Sequence, residues 1–246
     1  MAGTTMSFAG GLEVIRLLRD ECLKRSNEEQ LKFIRYCIEN AMLARSQFFQ
    51  DLWVAWELGS PRSGFFVEFG AANGRHASNT HYLEKELGWR GILSEPARHW
   101  YPHIQTYRNC YIDRRAVFSE SGRMVTFVQP PIALHSTIAG YEGGDYAAAT
   151  RMEGERYEVE TVSLSDLLAH WNAPPRIDYI SIDTEGSELD IIRPFDFARW
   201  DVRLFTIEHA GNAEKRAGIL EVMTNNGYER KFANLSGDDD WYVRRY

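Results

Sequence analysis

The sequence predicts an α/β fold, a doubly wound and mostly parallel sheet with a C-terminal antiparallel hairpin and an N-terminal helical extension. Three observations predict it. From Phe65 onward, short β-rich apolar runs alternate with segments of helical spacing, the pattern of a parallel sheet covered on both faces. Several runs end in an acid or a small turn residue, where an open α/β sheet opens its crevice. The first sixty residues show helical spacing instead, and 246 residues suffice for one α/β domain with an appendage.

The elements follow in order. Leu12, Ile15, Leu18 and Cys22 recur at helical spacing, as do Leu31, Ile34, Ile38 and Met42. A further helix runs from Phe48 through Trp53 and Trp56 to Leu58, where Gly59-Ser60-Pro61 stops it. Residues 1–60 therefore read as a helical cap, and 61–246 as the main domain. Strands are expected at Phe65–Phe69, Gly91–Glu95, Tyr111–Phe118, Met124–Val128, Tyr157–Leu164, Ile177–Asp183 and Val202–Glu208. Helices are expected at Ser78–Leu87, Ser165–His170, Ser187–Ile192 and Ala213–Asn225. The last hairpin pairs Tyr228–Phe232 with Trp241–Arg244. Residues 129–155, with Pro130, Pro131 and several glycines, form a segment too long for an ordinary connection and read as a substrate or lid loop.

Composition narrows the function. A net charge of −7 opposes a nucleic-acid partner, which needs a basic surface to displace counterions. No run approaches the roughly 20 apolar residues of a membrane span, and the N-terminus lacks the pattern of a secretory signal. Three widely spaced cysteines make neither a disulfide framework nor a zinc site, so a cytoplasmic setting is expected. The expected partner is a small-molecule or glycan acceptor, with a homodimer through the N-terminal helices as a further option.

The candidate site residues follow the strands. Gly70, Ala71, Asn73 and Gly74 form a G-x-x-x-G turn after Glu68, letting backbone approach a ligand. This is not the G-x-G-x-x-G of dinucleotide enzymes. Glu95, before Pro96, is a carboxylate suited to ribose hydroxyls. Asp183, Glu185 and Glu188 crowd the end of another strand and require donors, a metal or a cationic ligand to offset their repulsion. Glu208-His209 reaches the same edge, and a histidine there suits general-base work.

Phe66-Val67-Glu68-Phe69-Gly70-Ala71 with Asn73-Gly74, Ser78-Asn79-Thr80, Gly88-Trp89-Arg90-Gly91 and Glu95-Pro96 together resemble the FkbM-type methyltransferase family. Ile182-Asp183-Thr184-Glu185-Gly186-Ser187-Glu188 is similar to its K-I-D-V-E-G-x-E signature, with Ser181 where lysine is common. Val162-Ser163-Leu164-Ser165-Asp166-Leu167-Leu168 is similar to its T-L-D-D-L-L segment. The resemblance spans roughly residues 47–228. It implies a class I methyltransferase (Rossmann-like) fold, S-adenosyl-L-methionine as cofactor, and O-methylation of a natural product or sugar. By position it assigns Glu68, Gly70, Asn73, Gly74, Ser78, Asn79 and Glu95 to the cofactor, Arg115 and Ala116 to the adenine border, and Asp183 to the vicinity of the methyl.

His209 or Asp183 is then the expected base, with Glu208 orienting. His135, Ser136, Thr137, Tyr141 and Tyr146 are the expected acceptor contacts. A divalent metal on Asp183, Glu208 and His209 is possible but not favoured, since no dense ligand cluster requires it. Two other readings stay open: a nicotinamide-dependent oxidoreductase and a non-catalytic Rossmann-like binding module.

Overall fold

The computed structural model describes residues 27–143 and 147–246. The chain divides into two units, with the boundary between Met42 and Leu43. The described part of the first is a helix, α1 (Glu28–Asn40), opened by a capping box in which Asn27 and Gln30 exchange side-chain-to-backbone bonds of 2.9 Å each. The pattern at Leu12–Cys22 lies outside the described residues.

The second unit begins with α2 (Gln50–Glu57), which the sequence groups with the extension. Its Trp53 stacks on Trp241 with ring centroids 5.0 Å apart, and both rings are fully buried. Then follow β1 (Phe65–Phe69), α3 (His81–Lys85), β2 (Arg90–Ser94), α4 (Tyr101–Tyr107), β3 (Tyr111–Asp113), β4 (Ala116–Phe118), β5 (Met124–Gln129), β6 (Thr137–Ile138), α5 (Ala148–Arg151) and β7 (Glu155–Ser163). The chain ends with α6 (Leu164–His170), β8 (Arg176–Ile182), α7 (Glu188–Ile192), β9 (Asp201–Glu208), α8 (Ala213–Asn225), β10 (Tyr228–Lys231) and β11 (Asp239–Arg244). None of these helices is long and apolar enough to cross a membrane.

Seven strands form the main sheet in the order β10-β11-β9-β8-β1-β2-β3. Pairing is parallel from β3 through β9, and β11 lies antiparallel between β9 and β10. The chain winds outward from β1 to β3, then resumes at β8 on the other side of β1. That reversal makes β1/β8 the switch point of a doubly wound sheet, where a crevice opens beyond the strand ends. Fully buried residues such as Val67, Ile92, Ile180, Phe205 and Ile207 fill the sheet faces, each contributing about 1.5–3 kcal/mol.

The expected strand Tyr111–Phe118 is two strands in two sheets. Asp113 stops the first: its carboxylate takes the Arg115 amide at 2.9 Å and the Arg115 guanidinium at 2.6 and 3.0 Å, turning the chain. From β4 on, a second sheet of order β4-β7-β5-β6 forms beside the first. Its core is Ala116, Phe127, Ile138, Tyr157 and Val159. Residues 129–155 are thus partly built into this sheet: β6 pairs with β5, and α5 follows.

Candidate active site

A cavity of about 260 Å³ opens at the carboxyl ends of β1, β2, β8 and β9, roofed by the second sheet and residues 133–138. Gly70 ends β1 with φ +70°, and a Cβ there would lie 1.9 Å from the Asp183 carbonyl oxygen, so only glycine lets the two strand ends close up. Glu95 follows β2 and is buried. Its Oε2 accepts the Ala72 N–H at 2.9 Å and its Oε1 the Ala97 N–H at 2.8 Å. Burial pushes this carboxyl up to about 8, against the pull of those two donors.

Gly70, Glu95, Pro96, Ala116, Asp183, Glu208, His135 and Ser136 line the cavity. Of the remaining expected residues, none of the described ones does. Glu68 is turned into the protein, where it accepts the Ser78 hydroxyl at 2.9 Å, the Asn79 N–H at 2.7 Å and the Thr80 hydroxyl. Asn79 donates to Ser181 Oγ at 2.9 Å, and Asn73 caps the amides of Arg75 and His76. Ala71 and Gly74 also stay off the cavity wall, and Arg115 is held by Asp113. A buried acid needs such donors, and Ser78-Asn79-Thr80 supply them to Glu68.

Ser181 is the register partner of Glu68 across β1 and β8. A lysine at this position would therefore lie beside Glu68. In this chain the cation comes from Arg108 at the end of α4: its guanidinium reaches Glu84 at 2.6 Å, Gly74 O and Ser78 Oγ at 3.1 Å, and Glu68 at 3.5 Å.

At the other end of the cavity the carboxyl groups gather. Ligand atoms of Asp183, Glu188 and Glu208 lie within 4.8 Å of one another. Glu188 is fully engaged. Its Oε1 accepts the Thr184 and Gly186 amides at 2.9 Å, and its Oε2 takes the Lys215 ammonium at 2.7 Å. Glu208 Oε2 is buried without a hydrogen bond, with Lys215 4.0 Å away. Burial, reinforced by the neighbouring carboxylates, raises the Asp183 and Glu208 carboxyls well above the ordinary range. Only Glu188 could join Asp183 and Glu208 as a metal ligand among the described residues, and it already holds an ammonium.

His209 is not part of the cavity wall. Its Nδ1 accepts the Gly211 N–H at 3.1 Å and its Nε2 faces Asp240 at 4.0 Å, while burial lowers its pKa. The Asp238 carbonyl holds the His209 amide at 2.8 Å, which fixes the backbone from which the ring points. Neither base nor metal ligand fits that orientation.

In the roof, Arg151 is fully buried, donating to the His135 carbonyl at 2.8 Å and to Glu185 Oε2 at 2.6 Å. Thr137 donates to the Glu185 carbonyl at 2.9 Å and Tyr141 to Asp190 at 2.5 Å, so both hydroxyls hold the roof down rather than face the cavity. Tyr146 lies outside the described residues. The sequence does not single out Trp100 and Phe127, which give the cavity an apolar wall, or Asp238 and Asp239, which extend its acidic end. The only signal for the latter was Asp238-Asp239-Asp240 in a hairpin; its meaning comes from pairing, since Asp239 is the register partner of Glu208.

The chain is similar to two solved structures. One is precorrin-6y C5,15-methyltransferase from Geobacter metallireducens GS-15, at 11% identity and a TM-score of 0.42, covering 78% of this chain and 85% of that one. The other is a fibrillarin/Nop5p complex, at 11% identity and a TM-score of 0.40, covering 82% of each chain. No curated protein matches the sequence. A family model described as "Methyltransferase FkbM domain" matches residues 68–230, from the last residues of β1 into β10 and thus across every strand end described above. The chain belongs to the FkbM methyltransferase family.

Proposed function

We propose that this methyltransferase uses S-adenosylmethionine to methylate a hydroxyl group on a small molecule, sugar or natural product. The observation that carries the cofactor reading is Glu95. Two backbone amides hold its carboxyl at the end of β2, leaving each oxygen a further lone pair for a ribose hydroxyl, beside the apolar wall of Pro96, Trp100 and Phe127. The donor set fits this cofactor better than a dinucleotide, because no Lys or Arg lines the cavity among the described residues to receive a pyrophosphate.

When bound, S-adenosylmethionine supplies an electrophilic methyl on a sulfonium sulfur that departs as a neutral thioether. The chain orients the acceptor and removes its proton. Positioning accounts for about 7–11 kcal/mol of barrier in well-aligned systems. Asp183 is the proton acceptor in this reading: it lines the cavity, and its raised carboxyl is a stronger base than an exposed aspartate. Glu208 stands beside it, and proton uptake by Asp183 adds about two to four orders of magnitude in rate.

Calorimetric titration with S-adenosylhomocysteine, run beside NADH, tests the reading. Micromolar binding of the first alone is expected, weakened about 10- to 100-fold in Glu95→Gln through the loss of hydrogen bonds to a charged group. Glu95 must ionise to accept both hydroxyls. Affinity should therefore rise from about pH 6 to about pH 8 and then level off, a slope that Glu95→Gln abolishes. The same raised carboxyl costs the free protein stability as pH rises from the ordinary 4.5 through about 8, so ligand stabilises most at the alkaline end. Binding of NADH in place of S-adenosylhomocysteine overturns the proposal.

A further inference from the structure

Carboxyl groups crowd one end of the cavity wall. Six carboxyl groups line it, those of Glu95, Asp183, Glu185, Glu208, Asp238 and Asp239, and no Lys or Arg does among the described residues. Glu95 serves the ribose in the reading above, and Glu185 is neutralised by Arg151 at 2.6 Å. Asp239 accepts the Gln50 amide at 2.7 Å, a bond that brings no charge, and burial pushes its carboxyl up to about 7. Glu208 Oε2 is buried without a hydrogen-bond donor. S-adenosylmethionine brings a sulfonium, an ammonium and a carboxylate, a single net positive charge, and loses it on methyl transfer. Asp183, Glu208, Asp238 and Asp239 gather at one end of the cavity with the Lys215 ammonium 4.0 Å from Glu208, and a further cation placed among them relieves the crowding that, on top of burial, holds the Asp183 and Glu208 carboxyls un-ionised.

We infer that the acceptor is itself a cation, a small hydroxylated amine whose ammonium is held by Glu208, Asp238 and Asp239 while a neighbouring hydroxyl is presented to the methyl and to Asp183. This rests on the methyltransferase reading above. A divalent metal would answer the same charge, but the Lys215 ammonium already sits 2.7 Å from Glu188, the third carboxylate such an ion would use. An ammonium needs fewer ligands and accepts the geometry that Glu208 and Asp239, register partners across β9 and β11, leave. Carboxylated or phosphorylated acceptors are repelled by the same wall.

The test uses a library of amino alcohols and amino sugars, each paired with its N-acetyl derivative and its amine-free parent. All are incubated with the whole protein and S-adenosylmethionine labelled in the methyl group. Label is expected in free amines, falling at least about tenfold on N-acetylation, the loss of about 1.4 kcal/mol of ion pairing. Asp239→Asn and, on the exposed rim, Asp238→Asn should each raise the KM of an accepted amine about threefold to tenfold, and S-adenosylhomocysteine titration of each variant verifies that it is folded. The inference falls if neutral or phosphorylated parents are labelled as well as the amines. It also falls if no amine is labelled or bound by protein saturated with S-adenosylhomocysteine, or if magnesium alone binds that protein tightly and EDTA abolishes labelling. Absence of S-adenosylhomocysteine binding would instead defeat the cofactor reading. Mapping the label to oxygen or nitrogen decides the methylated atom separately from the acceptor's charge.

Discussion

Replacing Asp183 with asparagine is expected to lower turnover by about two to four orders of magnitude, the usual range for a lost general base. Binding of S-adenosylhomocysteine should change little, because this product has no sulfonium for the lost carboxylate to attract. The pH profile gives the sharper readout. Burial and the charges of Glu185, Asp239 and Glu188 raise the Asp183 carboxyl, so the base is protonated and idle at low pH and ionised at high pH. Activity of the parent should therefore climb with pH well beyond the ordinary aspartate range, and Asp183→Asn should lose that limb. His209→Asn is the control. Because that ring faces Asp240 and Gly211, its turnover should stay within about threefold of the parent. A collapse of activity in His209→Asn with an unaffected Asp183→Asn would transfer the role to the histidine.

The second large effect lies behind the cavity. Arg108 and Glu68 have almost no exposed side-chain surface, and Glu84 little more. Removing one partner of a buried ionic group strands the others, a loss of about 3–5 kcal/mol. Arg108→Met is expected to lower stability by about that amount, read as the midpoint of urea unfolding. Strand register supplies a rescue. Ser181→Lys places an ammonium across from Glu68, and the double variant should recover part of the loss even though lysine is longer than the serine it replaces. Ser181→Lys alone, adding a second cation beside Arg108, should destabilise the parent. Absence of rescue would mean that Arg108 acts through Glu84 and Gly74 rather than through the charge of Glu68.

The sequence exposes the parts of this fold whose signal is local. β1 coincides with its expected range because an apolar run ends in glycine, and α8 coincides because Asn212 caps it and its buried positions repeat. α4 escaped notice: in Tyr101–Tyr107 only Ile104 is buried, so no apolar period marks it. The division of 111–118 depends on Arg115 reaching back to Asp113, and membership of β5 and β7 in a second sheet depends on pairing that no strand announces. The site divides in the same way. Acids at strand ends mark Glu95, Asp183 and Glu208, because strand direction alone delivers them to one edge. Glu68 has the same signature yet faces inward, because Ser78, Asn79 and Thr80 supply its donors at a range of ten to twelve residues. The orientation of His209 follows from the backbone bond to Asp238, a contact across β9 and the loop before β11.

The second sheet has a consequence for how the cavity roof can change. Its first and last strands, β4 and β7, run side by side, Ala116 opposite Thr161 and Phe118 opposite Ser163. Everything between them departs from and returns to one place on the scaffold, like a cassette with adjacent terminals. The strand ends that carry Glu95, Asp183 and Glu208 lie outside the cassette, while the roof of the cavity lies inside it. Exchange of residues 119–160 between relatives is therefore expected to reshape the roof, Phe127 and residues 133–138 included, while Glu95, Asp183 and Glu208 keep their own frame.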